Sequence, residues 1–155
     1  MQFIQGNNRH QTFFSTLEDQ VAADNPVRLI DAFIDKLDLQ KSGFTKTVHK
    51  SEGRPPYTPQ VLLKLYLYGY LNKIRSSHKL LREHSRNIEL QWLLQGLQPN
   101  YHTIADFRKV HAQPLQSMFK LYVKFLSESS LLGKTTIDID GSKFIQRMLC
   151  QAVNS

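Results

Sequence analysis

Cysteine is almost absent from this chain. Cys150 stands alone among 155 residues, which excludes an internal disulfide and suits a reducing cytosol. Without a second cysteine there is no zinc-finger spacing either. Long apolar runs are also missing. The longest, Val61 to Leu71, has eleven residues and contains Lys64, well short of the ~20 that a membrane helix needs. The opening MQFIQGNNRHQTFF is too polar for the apolar core of a signal peptide. A soluble, cytoplasmic protein with no membrane partner is the expectation. The six histidines (His10, His49, His78, His84, His102, His111) include no pair at four-residue spacing on one helix with an acidic neighbour. No phosphate-binding glycine loop and no Ser/His/Asp signature occurs, so the common zinc-hydrolase, P-loop and serine-hydrolase patterns are set aside.

Acidic residues are scarce where basic ones gather. The chain carries 20 Lys+Arg against 13 Asp+Glu, a net +7. Residues 1–38 hold only Arg9, Arg28 and Lys36 against six acids, a net −3, whereas Lys41 to Arg86 hold ten bases against two acids, a net +8. A basic middle attracts polyanions through long-range fields; such a charge run can equally be a solubilising surface. Apolar residues at 41% suffice for a packed core, so global disorder is not expected.

The local signals are mostly helical. Asp24-Asn25-Pro26 reads as a cap followed by first-turn proline, and Val27, Ile30, Ile34 and Leu37 then recur at helical spacing, with Phe33 beside them, until Leu39. Residues 40–57, QKSGFTKTVHKSEGRPPY, have no periodicity and read as a loop or flexible connector. Thr58-Pro59 repeats the cap-then-proline signal. The helix it opens is apolar on nearly every side, which predicts central burial, with Tyr66, Tyr68 and Tyr70 in the core or at an interface. Ser76 or Ser77 caps a third helix to about Ser85. A fourth covers Ile88 to Leu94 with Trp92 buried, and Thr103 caps a short helix IADFRKVHA. Pro114 opens a long amphipathic helix that buries Leu115, Met118, Phe119, Tyr122, Phe125 and Leu126. Gly133 ends it, and a short strand follows at Thr136 to Asp140. Residues 1–132 therefore read as an all-α helical bundle and 133–155 as a separate strand and tail.

The segment KIRSSHKLLREHSRNIEL carries the sharpest functional signal. Arg75, Lys79, Arg82 and Arg86 are spaced four, three and four, which at ~100° per residue gathers them on one side of a helix. Leu80, Leu81, His84 and Ile88 fall opposite, His84 being expected as a hydrogen-bonded core histidine. A buried helix, a tight turn near Asn72 to Ser76 and a basic second helix make a helix-turn-helix-like element, whose second helix would enter a DNA major groove. Lys73, Arg75, Ser76 and Ser77 would reach phosphates. Ser77, His78, Lys79 and Arg82 would lie nearest base edges, with Arg82 suited to bidentate contact with guanine. Arg86 would hold backbone. The same stripe also fits a solvated helix face, Glu83 and Glu89 could pair part of the charge, and two rivals for base contact remain. These are the basic loop 41–54 and the helix carrying Arg108 and Lys109.

Taken in order, several phrases form a set: Pro59 with Leu62-Leu63-Lys64-Leu65 and Tyr68-Gly69-Tyr70; Arg75-Ser76-Ser77; Trp92-Leu93; Pro99 with Thr103-Ile104 and Phe107-Arg108; then Asp140-Gly141-Ser142-Lys143. From about Gln5 to Phe144 the chain resembles the N-terminal region of InsH-like insertion-sequence transposases of the DDE type. The resemblance implies a helical domain that binds double-stranded DNA at the inverted-repeat ends of a mobile element. A ribonuclease-H-like catalytic domain would follow, in which two Asp and one Glu hold two magnesium ions for hydrolysis and strand transfer. Asp140 matches the first of those carboxylates; Asp138, two residues earlier, is the weaker candidate. Only fifteen residues follow Asp140, so the expectation is a truncated chain with no metal site formed, no cofactor of its own and no catalysis alone. Residues 133–155 would be a mobile fragment of the catalytic domain's start. A truncated gene, a frameshift remnant or a cut at the domain border would each produce such a chain. A second expectation is regulatory: a short product that competes for element ends, or forms homo-oligomers or mixed oligomers with a full-length transposase.

Overall fold

Helix punctuation sets the architecture. A computed structural model describes residues 8–44 and 56–128. In these residues six α-helices follow a single 3-10 turn at Glu18–Gln20: α1 (Pro26–Lys36), α2 (Pro59–Leu71), α3 (Ser77–Arg86), α4 (Ile88–Leu93), α5 (Tyr101–Val110) and α6 (Ala112–Glu128). No strand occurs among the described residues, and the all-α reading holds for them. The strand at Thr136 to Asp140, the tail after it and most of the 41–54 loop lie outside the described residues.

Asn25 caps α1 by accepting from the Val27 amide, with Pro26 in the first turn. Thr58 occupies the equivalent place before Pro59, yet its hydroxyl makes no cap bond. Ser76 caps α3 through the Lys79 amide. The expected Thr103 cap is corrected: Asn100 accepts from the Thr103 amide at 2.8 Å and from its hydroxyl at 2.9 Å, so α5 begins at Tyr101. The last helix likewise starts at Ala112, before Pro114, which sits harmlessly in the first turn.

α2 is the hub. Leu62 to Gly69 are buried without interruption, because α1 and α4 pack against it while Tyr70 stacks on Phe119 of α6 at 5.1 Å. Lys64 is buried within this run, 7% exposed, and its ammonium reaches Asp31 at 2.6 Å and Asp35 at 2.8 Å, one turn apart on α1. A charge can occupy such a place only with partners of this kind. Tyr66 donates to the Ile104 carbonyl of α5; burial pushes its phenol well above the usual range, so it stays a donor. Phe44 stacks on Phe107 and contacts His111, closing the loop after α1 over α5.

Trp92 departs from expectation. It is half-buried because its indole N–H donates to the Glu18 carboxylate at 2.6 Å and its face takes the Arg28 guanidinium at 4.9 Å. Arg28 also donates to the carbonyls of Ala22 and Val21. The half-exposed tryptophan therefore anchors the N-terminal segment to α1 and α4.

Candidate nucleic-acid interface

Five residues, 72–76, join α2 to α3. The Lys73 amide donates to the Tyr70 carbonyl at 3.2 Å and the Ile74 amide to the Gly69 carbonyl at 2.8 Å, while Lys73 takes φ of 56°. This is a Schellman closure with a lysine where glycine is usual. Gly69 is needed for a different reason. A Cβ there would stand 2.8 Å from a Leu80 methyl and 3.0 Å from the Ile74 carbonyl oxygen, so α2 and α3 touch at a point only glycine permits.

α3 is pinned on its inner side. Ser77, Leu80 and His84 are buried, and Asn87 both ends α3 and caps α4 while donating to the Tyr68 hydroxyl. His84 is buried as expected; burial lowers its pKa against the raising effect of a hydrogen bond with the Leu97 backbone, while its Nε2 has no hydrogen-bond partner among the described residues. Lys79, Arg82 and Arg86 lie on the exposed side. None forms an ion pair among the described residues; Glu89, a suspected partner of Arg82, instead accepts from Asn25 at 2.8 Å.

The sequence-predicted residues divide into two groups. Lys73, His78, Lys79, Arg82, Arg86 and Lys109 are exposed. Arg75 and Ser76 are half-buried in the turn, and Ser77 is 3% exposed with its hydroxyl accepting from Arg108 at 3.3 Å. Arg108 donates as well to the Arg75 carbonyl at 3.2 Å. This α5 guanidinium holds the start of α3 in place, a role its sequence position did not suggest. Two side chains went unnoticed in the sequence, Tyr101 and His102. The Tyr101 ring stacks on His78 with centroids 3.9 Å apart and planes within 9°, and His102 meets Tyr101 edge-on at 5.4 Å. No periodicity could have signalled this meeting of α3 with α5.

The basic face is thus a continuous exposed strip along α3 with an aromatic and histidine cluster at its head. Among the described residues no three His, Cys, Asp or Glu side chains stand together as a metal site, and Asp140 lies outside them. Residues 15–110 match the family model described as a transposase domain (DUF772). The chain belongs to the DUF772 transposase-domain family. That DUF772 match takes in α1 to α5 and every candidate contact from Lys73 to Lys109, and it ties the chain to transposition. Comparison with curated proteins and with solved structures returned no match. Among the described residues of this DUF772 member, no helix is long and apolar enough to cross a membrane.

Proposed function

We propose that the helical part of this chain binds double-stranded DNA at the terminal inverted repeats of a mobile element, as the end-recognition region of a DDE-type transposase. α3 is the reading helix, entering the major groove behind α2. The observation that carries this reading is the arrangement of α3: Lys79, Arg82 and Arg86 exposed on one side with no ion pair among the described residues, and Ser77, Leu80 and His84 locked into the core on the other. A solubilising surface has no need of so firmly anchored a basic helix. Membership of a transposase-domain family supplies the matching context.

Within this reading Arg82 takes a guanine edge, and Lys73, Arg86 and Lys109 take phosphates. Ser77 and Arg108 leave the contact set, since both are engaged in holding α3. Three such phosphate contacts would give a log–log salt slope of about −3. Fluorescence-anisotropy titration tests it, with the inverted repeat flanking the gene set against a scrambled duplex at about 50 and about 200 mM salt. Tighter binding to the repeat that survives the higher salt supports end recognition. Equal binding to both, vanishing with salt, would reduce the strip to a general polyanion surface.

A further inference from the structure

The His78–Tyr101 stack does more than pack two helices. His78 is exposed, sits in the first turn of α3 and lies one turn before Arg82 on the same side. Its ring nitrogens make no hydrogen bond with the described residues, whereas its face is covered by Tyr101 at 3.9 Å with nearly parallel planes. His102, edge-on at 5.4 Å, limits the Tyr101 ring in turn. An exposed side chain ordinarily samples several rotamers, and fixing it on binding costs affinity. Here the imidazole is held still before any ligand arrives, with its polar edge free.

We infer that His78 determines specificity at one base pair and that Tyr101 of α5 is the positioning residue that aims it. This rests on α3 being the reading helix. An imidazole N–H is a single donor, and in the major groove purine N7, guanine O6 and thymine O4 are acceptors whereas cytosine presents only a donor; through that N–H His78 selects against cytosine at one position of one strand. Four residues of helix advance about 6 Å, close to two base-pair steps of about 3.4 Å, so the base read by His78 lies roughly two pairs from the guanine assigned to Arg82. Arg108 completes the arrangement from beneath, binding the Arg75 carbonyl and the Ser77 hydroxyl. α5 thus orients both the backbone and the leading side chain of α3.

Selection from a randomised duplex library decides the matter, using the full chain as wild type, His78→Ala, Tyr101→Ala and Tyr101→Phe. The wild type is expected to enrich a motif with one position from which cytosine is excluded. His78→Ala and Tyr101→Ala should each flatten that position by about tenfold while leaving the Arg82 guanine in place, and Tyr101→Phe, which keeps the ring, should preserve the preference. A Tyr101→Ala motif identical to wild type, or a loss of affinity spread equally over all duplexes, overturns the positioning role. A His78→Ala motif that still excludes cytosine there overturns the readout. A wild type that enriches no motif overturns the end-recognition reading itself, and is distinguished from the other failures because no variant is needed to see it.

Discussion

Lys64 offers the most decisive test of how this bundle is held together. Its ammonium lies 2.6 Å from Asp31 and 2.8 Å from Asp35, and its side chain is 8% exposed against 29% and 56% for the two carboxylates. Truncation by Lys64→Ala removes three buried methylenes worth about 0.8 kcal/mol each, about 2.4 kcal/mol in all. It also strips both carboxylates of their partner. Breaking a buried pair commonly costs about 3–5 kcal/mol, but Asp31 and Asp35 can turn toward water, so the electrostatic share here falls nearer about 1–2 kcal/mol. Lys64→Met keeps the apolar stem and should lose only that share; Lys64→Ala should lose about 4 kcal/mol. At roughly 2–4 °C per kcal/mol for a chain of this length, the alanine variant melts about 8–16 °C below wild type and the methionine variant about 2–8 °C below. Replacing Asp31 and Asp35 by Asn in the Lys64→Met background should recover part of the loss, because no unpaired charge remains. The pH dependence has a defined sign. Burial pulls the Lys64 pKa down, but the hydrogen bonds to Asp31 and Asp35 outweigh it and the folded pKa rises above 10.5. The pair's contribution is therefore complete below pH 10.5 and lost as pH climbs through the folded value. Circular-dichroism melts of the four proteins at pH 7 and pH 11 measure all of this. A Lys64→Ala protein melting within about 2 °C of wild type would refute the claim that α1 is clamped to α2 by this ammonium.

Gly69→Ala sets helix propensity, a gain of about 1 kcal/mol, against a Cβ placed 3.0 Å from a backbone oxygen and 2.8 Å from Leu80; overpacking of about 1–3 kcal/mol should win, and a rise in Tm would show that α3 can retreat freely. Arg82→Ala should weaken repeat binding by about 1–3 kcal/mol with little change on unrelated duplex, whereas equal loss on both would make Arg82 a phosphate contact. His84 has its folded pKa lowered below 6.5 by burial, so its neutral form belongs to the fold. Stability is full above pH 6.5 and declines as pH falls toward the folded value, and His84→Leu should flatten that decline in denaturant titrations between pH 5 and 7.5.

Where the determinants are local, the sequence and the structure agree. Asn25-Pro26 and Ser76 act within three residues of themselves, and α1 and α3 begin where those residues place them. The all-round apolar character of Val61 to Leu71 similarly required burial, and α2 is the hub. Asn100 escaped because Thr103 is itself a competent cap; both are used, Asn100 accepting while the Thr103 amide and hydroxyl donate. Trp92 escaped because its indole N–H needs an acceptor, and Glu18 lies seventy-four residues away. The charge stripe on α3 was legible from spacing, but spacing could not separate arginines that contact a partner from those that hold the protein together. Arg82 and Arg108 look alike in the sequence. Only the fold shows one exposed and the other tied to Arg75 and Ser77.

That separation bears on how a short helix could read DNA at all. α3 has ten residues, a length marginal as an isolated helix in water, so its order must come from tertiary contacts. They act along its whole length: the Ser76 cap and the Arg108 brace at the start, the Gly69–Leu80 approach in the first turns, and Asn87 against Tyr68 at the end. Each contact removes freedom that DNA binding would otherwise have to remove, and immobilising loose groups at an interface costs about 0.5–1.5 kcal/mol apiece. Lys64, Arg28 and Arg108 draw acidic and polar partners inside the bundle or at its seams, and Lys41 and Lys124 pair with Asp38 and Glu128 away from α3. Lys79, Arg82 and Arg86 are exposed and form no ion pair among the described residues. A polyanion approaching α3 would meet charges that no carboxylate of the described residues holds, on a helix that need not first be folded.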